Sequence, residues 1–203
     1  MRELRGAGVL SVVGIREIAL AELQQLIRSS GYFRQKASRL KAFVSFLDEH
    51  YGGSLTRMFR QPTEELREQL LALNGVGPET ADSILLYAGQ HSIFVVDAYT
   101  RRLASRHQIA PDQATYEELR ALFERALANV PAPNGAFRPL GDAFHKPSRM
   151  SMASRSGSAQ VLNDMHAFIV GISKQYCRKS LPDCEHCPLE ALLPAARRAA
   201  LDR

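Results

Sequence analysis

From Leu73 to Asp82 the chain reads Leu-Asn-Gly-Val-Gly-Pro-Glu-Thr-Ala-Asp, and these ten residues dictate a tight reversal between two helices. Leu66, Leu70 and Leu73 form the apolar stripe of a helix that stops at Gly75. Pro78 suits the first turn of the next helix, where the amide hydrogen it lacks would have no partner in any case. Gly75 and Gly77 frame a single apolar residue, Val76, placed to anchor the bend in the core. Glycines let backbone approach a ligand closely, and amides at a helix start face outward with the positive end of the dipole, which suits a phosphate oxygen. An ordinary connection whose glycines serve only the turn fits the spacing equally well.

Helical spacing recurs on both sides of the bend, so an all-α fold is expected. Leu20, Leu23 and Ile27 mark one buried face, and Ala37, Leu40, Val44 and Leu47 another, which Tyr51-Gly52-Gly53 brings to an end. Pro62-Thr63-Glu64-Glu65 reads as a helix start with Thr63 as the cap. Further helices are expected over 78–87 and 98–106, through Tyr116, Leu119, Leu122, Phe123 and Leu127, and through Leu162, Met165, Ile169 and Ile172. The one competing strand signal is the short run Ile93-Phe94-Val95-Val96. Residues 131–160, with Pro131, Pro133, Pro139 and Pro147 and few large apolar groups, read as a linker or disordered insertion, or as a long functional loop.

Composition narrows the partners. No apolar run approaches the ~20 residues of a membrane span, and no leader-like segment follows Met1. A cytoplasmic, nucleoid-associated protein without membrane attachment is therefore the expectation, and it is expected to be a monomer. A net charge of +5 favours a polyanion, because Lys and Arg that neutralise phosphates gain affinity by releasing counterions.

The hairpin pattern Leu-x-Gly-Val-Gly-x-x-Thr-Ala-Asp resembles that of the endonuclease III-like, helix-hairpin-helix (HhH-GPD) DNA glycosylase superfamily. Val95-Val96-Asp97-Ala98-Tyr99-Thr100-Arg101-Arg102 resembles its second signature, and Ser30-Gly31-Tyr32-Phe33-Arg34-Gln35-Lys36-Ala37 its upstream helix start. The resemblance covers the chain apart from residues 131–160. It implies two helical lobes with a DNA groove and a base pocket between them: 1–92 with the hairpin, and 93–203 with the cysteine loop. It also implies double-stranded DNA carrying a damaged base as partner. Gly75, Val76, Gly77 and Thr80 of the hairpin, with Lys36, Arg101 and Arg102, are the implied DNA contacts. Each side chain among them also fits a plain solvated helix face. Family members begin upstream of Met1, so an N-terminal helix of the second lobe is expected to be missing.

Asp97 precedes a helix, and capping alone would explain it. The resemblance implies more: the matching aspartate is catalytic, an anion that stabilises the oxocarbenium-like state formed as the glycosidic bond breaks. Bifunctional relatives carry a lysine two residues after the second glycine, whose amine forms a Schiff base with the sugar. Glu79 stands there, and a carboxylate cannot form that imine. A monofunctional glycosylase using water is implied, closest in motif to the 3-methyladenine branch. The alternatives are an endonuclease III-type glycosylase and lyase, or a non-catalytic DNA-binding remnant.

Cys177, Cys184 and Cys187 are separated by six and two residues. Cysteines gathered so closely favour metal binding over a secreted disulfide framework. The spacing resembles the first three ligands of the family's 4Fe-4S loop, and Leu193 occupies the position of the fourth. Three outcomes stay open: a cluster with a non-cysteine or solvent ligand, a zinc site using a nearby histidine, or a loop without metal; His166, on the preceding helix, reads more readily as a packed or exposed histidine than as a ligand. His186, inside the two-residue gap, is a poor candidate because its side chain should point away from its neighbours' metal.

Overall fold

A computed structural model describes residues 1–132 and 155–195 and shows an all-α protein in two compact units, Met1–Gly77 and Pro78–Arg203. The division falls inside the glycine-framed hairpin. No strand occurs among the described residues, and no helix among them is long and apolar enough to cross a membrane.

The first unit contains α1 (Arg2–Gly6), α2 (Val12–Glu17), α3 (Leu20–Leu26), α4 (Phe33–Tyr51), α5 (Leu55–Met58) and α6 (Thr63–Leu71). Leu4, Ile15, Ile18, Leu23, Ile27, Ala37 and Val44 pack into one core. Lys41 on α4 donates to the carbonyls of Arg16 (2.9 Å) and Ile18, satisfying acceptors that the end of α2 leaves open. Helix α4 ends as expected, with Gly52 and Gly53 at φ of 58° and 75°. Two expectations fail. Leu40 is 37% exposed, because at that point the buried stripe runs through Ala37 and Val44. Thr63 is the first helical residue and not the cap: Pro62, extended at ψ 143°, takes the cap position without a side-chain bond.

The second unit contains α7 (Pro78–Ser83), a wide turn over Ile84–Gly89, α8 (Ala98–Arg106), α9 (Tyr116–Leu127) and α10 (Gly157–Gln175). The run Ile93–Val96 is buried to 1% exposure or less, yet pairs with no strand. Its amides find side chains instead: Phe94 N–H donates to Glu124 Oε1 (2.9 Å) and Val96 N–H to the Tyr116 hydroxyl (3.3 Å). That hydroxyl in turn donates to the buried Asp82 (2.8 Å). Phe94 stacks on Phe123 with ring centroids 4.6 Å apart. Helix α9 thus supplies both the apolar cover and the polar partners that a neighbouring strand would otherwise provide. The expected insertion at 131–160 lies largely outside the described residues, but 157–160 already belong to α10, capped by Ser156.

Candidate functional site: an aspartate at a helix start and a cysteine-lined cavity

Asp97 is the N-cap of α8, and its Oδ1 accepts both the backbone amide of Thr100 (2.8 Å) and its hydroxyl (3.0 Å). Its second oxygen is turned elsewhere, 3.5 Å from Nε2 of His166 on α10, with both side chains largely but not fully buried. His166 Nδ1 lies 2.5 Å from the Tyr87 hydroxyl. Burial, followed by the nearby Asp97 charge, pushes the Tyr87 phenol well above its ordinary range, so the hydroxyl keeps its proton and is able to donate to Nδ1. In the tautomer that accepts from Tyr87, the ring's own proton is on Nε2, the nitrogen 3.5 Å from the Asp97 carboxylate. Burial pushes Asp97 up, but the adjacent His166 ring and the Thr100 hydrogen bonds outweigh it and leave the carboxyl below its usual range. Asp97 is therefore an ionised, partly desolvated carboxylate with one oxygen fixed by the helix start. Neither Tyr87 nor His166 was singled out for this role from the sequence.

At the hairpin, Gly75 sits at φ 83°, in the left-handed region, and Val76 N–H closes the turn onto the Leu73 carbonyl (3.0 Å). Val76 is half-buried, so it anchors the bend less fully than expected. A methyl group on Gly75 would run into the Arg39 side chain. Gly77 differs: its φ is not positive, and a methyl group there would meet no atom of the protein within 4 Å. Thr80 and Glu79 are exposed on α7, and Lys36 is exposed with its ammonium on the Ser30 carbonyl (2.6 Å).

The arginines of α8 face inward more than the sequence suggested. Arg101 is exposed but donates through Nη1 to the Ala114 carbonyl (2.7 Å). Arg102 lies over the Tyr99 ring and donates to the Cys177 carbonyl (2.6 Å). Arg106, not singled out beforehand, donates to the Cys177 sulfur (3.3 Å) and to the carbonyls of Arg178 (2.7 Å) and Lys179 (3.2 Å). The end of α8 therefore grips the loop that carries the cysteines.

Cys177 follows the residue that caps α10, Tyr176, and successive turns bring Cys187 N–H to Cys184 O, Glu190 N–H to Cys187 O and Leu193 N–H to Glu190 O. Cys177, Cys184, Cys187 and Leu193, together with Arg106 and His107, line one cavity of about 150 Å³. Burial, with the neighbouring thiols, pushes the Cys187 thiol up. Among the described residues, no three His, Cys, Asp or Glu side chains converge as a site for a single metal ion. His186 is exposed and paired with Asp183 (2.7 Å), and His166 belongs to the Asp97 constellation.

Residues 3–129 match the family described as HhH-GPD superfamily base excision DNA repair protein. The chain is 34% identical over 192 residues to a candidate DNA repair glycosylase of Methanocaldococcus jannaschii, MJ1434, spanning 94% of this chain and 74% of that one. It is 25% identical over 177 residues to the DNA glycosylase/AP lyase ROS1 of Arabidopsis thaliana, spanning 87% of this chain and 12% of that protein. Among solved structures, the 3-methyladenine DNA glycosylase MagIII of H. pylori, bound to 1,N6-ethenoadenine, matches with a TM-score of 0.64 at 26% identity, over 86% of this chain and 74% of that one. A trapped endonuclease III-DNA covalent intermediate shares the fold, with a TM-score of 0.65 at 20% identity over 94% and 71%. With more than half its length inside the matched family, the chain belongs to the HhH-GPD superfamily of base excision DNA repair proteins.

Proposed function

We propose that this DNA glycosylase is monofunctional: it hydrolyses the bond between deoxyribose and a damaged base, with alkylated purines as the substrate class. The observation that carries this reading is the ionised Asp97, held by Thr100 on one oxygen and facing His166 with the other. An anion so placed stabilises the positive charge that develops on the sugar as the bond to the base breaks. Water then adds to the sugar carbon, its proton passing to the carboxylate, and the base leaves with the bonding electrons. An alkylated purine already carries positive charge, so it departs with little acid assistance. Glu79, in the place where lyase relatives have an amine, supports water as the nucleophile. The likeness to MagIII supports the alkylated-purine class. Free bases released from alkylated duplex DNA, with the strand left unbroken, are the expected products; DNA binding with every base intact would mean a non-catalytic binding protein.

Gly75, Val76, Gly77, Thr80, Lys36 and Arg101 are the DNA contacts in this reading. Extruding a nucleotide costs a few kcal/mol, which these contacts must offset. The two glycines are expected to separate in experiment. Gly75→Ala forces a side chain into the left-handed region and should cost roughly 1–2 kcal/mol of stability. Gly77→Ala meets no protein atom and should leave the melting temperature unchanged, yet weaken duplex binding by standing where a phosphate approaches. Melting curves and duplex titrations at fixed salt check both; equal DNA affinity for Gly77→Ala and the unmodified protein would remove the hairpin from the interface.

We further infer a 4Fe-4S cluster in the cysteine loop. The cavity is roughly ten times the ~10–15 Å³ that one water needs. What supports the reading is the donor set: Cys177, Cys184 and Cys187 line this one cavity, although among the described residues no three such side chains converge on an ion-sized site. Cys177, Cys184 and Cys187 would hold the cluster, and the Arg106 N–H would stabilise the Cys177 thiolate. A bound cluster would stiffen the loop and supply a redox-active centre. The residues of this chain fix the loop to α8 through Arg102 and Arg106.

A further inference from the structure

We propose that His107 is the fourth ligand of this cluster, replacing the thiolate that Leu193 cannot provide, so that the site is Cys3His. The proposal rests on the cluster reading above and adds a residue that lies far from the cysteines in sequence. His107 follows directly on α8 and is among the residues that line the same cavity as the three cysteines and Leu193. Its Nδ1 lies 3.3 Å from the carbonyl oxygen of Leu192, the residue before the position where a fourth cysteine would stand. A carbonyl only accepts, so Nδ1 carries a proton, and in the neutral ring Nε2 is then the nitrogen with the lone pair. This is the arrangement found in histidine metal ligands, in which one ring nitrogen donates to a carbonyl or carboxylate and the other binds the metal.

The backbone holds the ring in place. His107 N–H donates to Leu103 O (3.0 Å), continuing α8 by one residue, and the Arg102 and Arg106 bonds fix the cysteine loop against the same helix end. The other polar residues around the cavity are weaker candidates. Asp183 is engaged by His186, while Glu190 would add a negative charge next to three thiolates. Leu193 is buried and has no donor atom. A neutral imidazole in place of a thiolate leaves the cluster one unit less negative, which raises its reduction potential, as in iron-sulfur centres where histidine replaces cysteine.

The test uses the full chain, purified without oxygen or reconstituted with iron and sulfide, and labelled with 15N-histidine. Iron and sulfide analysis comes first, then pulsed electron paramagnetic resonance of the reduced protein. The expected result is four irons per chain and a strong nitrogen coupling that changes with the label. His107→Ala should abolish that coupling and shed the fourth iron on oxidation, giving a three-iron signal. Leu193→Cys should keep four irons, lose the coupling and lower the potential. A four-iron protein without directly bound histidine nitrogen, or a coupling that survives His107→Ala, overturns the assignment of His107 alone. A protein that takes up no iron and sulfide overturns the cluster reading beneath it. Circular dichroism of each variant verifies the helical fold.

Discussion

Asp97→Asn is expected to lower base release by at least roughly 10²- to 10³-fold, the range seen when a group that stabilises transition-state charge is removed. The variant separates the two roles that the same side chain fills. Asn is as good a helix cap as Asp, and its amide oxygen can accept the Thr100 amide as Asp97 Oδ1 does. The cap bond should therefore survive, and melting temperature at neutral pH should fall only by the small share that the carboxylate charge contributes, while activity collapses. The acid side supplies a second readout. The Asp97 carboxyl is held below its ordinary range, so its contribution to stability is present above the unfolded-state value and is lost as pH falls through the folded one. Between about pH 5 and pH 3 the unmodified protein should lose more melting temperature than Asp97→Asn. A variant with full activity would reduce Asp97 to a cap.

The second large effect concerns Glu79. On abasic DNA treated with borohydride, the unmodified protein should give no covalent adduct, because the second residue of α7 carries a carboxylate. Glu79→Lys places an amine there, which can condense with the ring-opened sugar, release water and leave an imine for borohydride to reduce. The expected change is from no trapped species to a readily visible one on a denaturing gel. The cost in stability should be small: Glu79 is exposed, and losing a first-turn acid costs about 0.3–1 kcal/mol. Trapping by the unmodified protein that persists in Glu79→Gln would show another amine at work and overturn the monofunctional reading.

What the sequence made legible follows from which interactions are local. The hairpin, the end of α4 at Gly52 and the stripe of α9 depend on neighbours a few residues apart, and each appears where its pattern places it. Thr115 and Glu118 form a full capping box at the start of α9, a Thr-x-x-Glu signal readable in the sequence. Leu40 and Thr63 misled because one periodic stripe and one cap position each admit two neighbouring solutions, which only packing decides. The run Ile93–Val96 has strand composition, but its partners Glu124 and Tyr116 lie on a helix.

The candidate site divides the same way. Asp97 and the cysteines stand in motifs with defined spacing. Tyr87 meets His166 across 79 residues, and His107 meets Leu192 across 85, pairings that no local rule predicts. Arg102 and Arg106 illustrate the converse: a basic helix reads as a surface for DNA, yet two of its guanidinium groups hold the cysteine loop.

The central claim is that the carboxylate at the start of α8 drives hydrolytic removal of a base. Duplex DNA treated with a methylating agent, incubated with the full chain and analysed by mass spectrometry for free bases, tests it most directly. The account predicts free 3-methyladenine, one abasic site for each base released, unbroken strands, and no release by Asp97→Asn. Duplex that binds the protein while retaining all its methylated purines would contradict it.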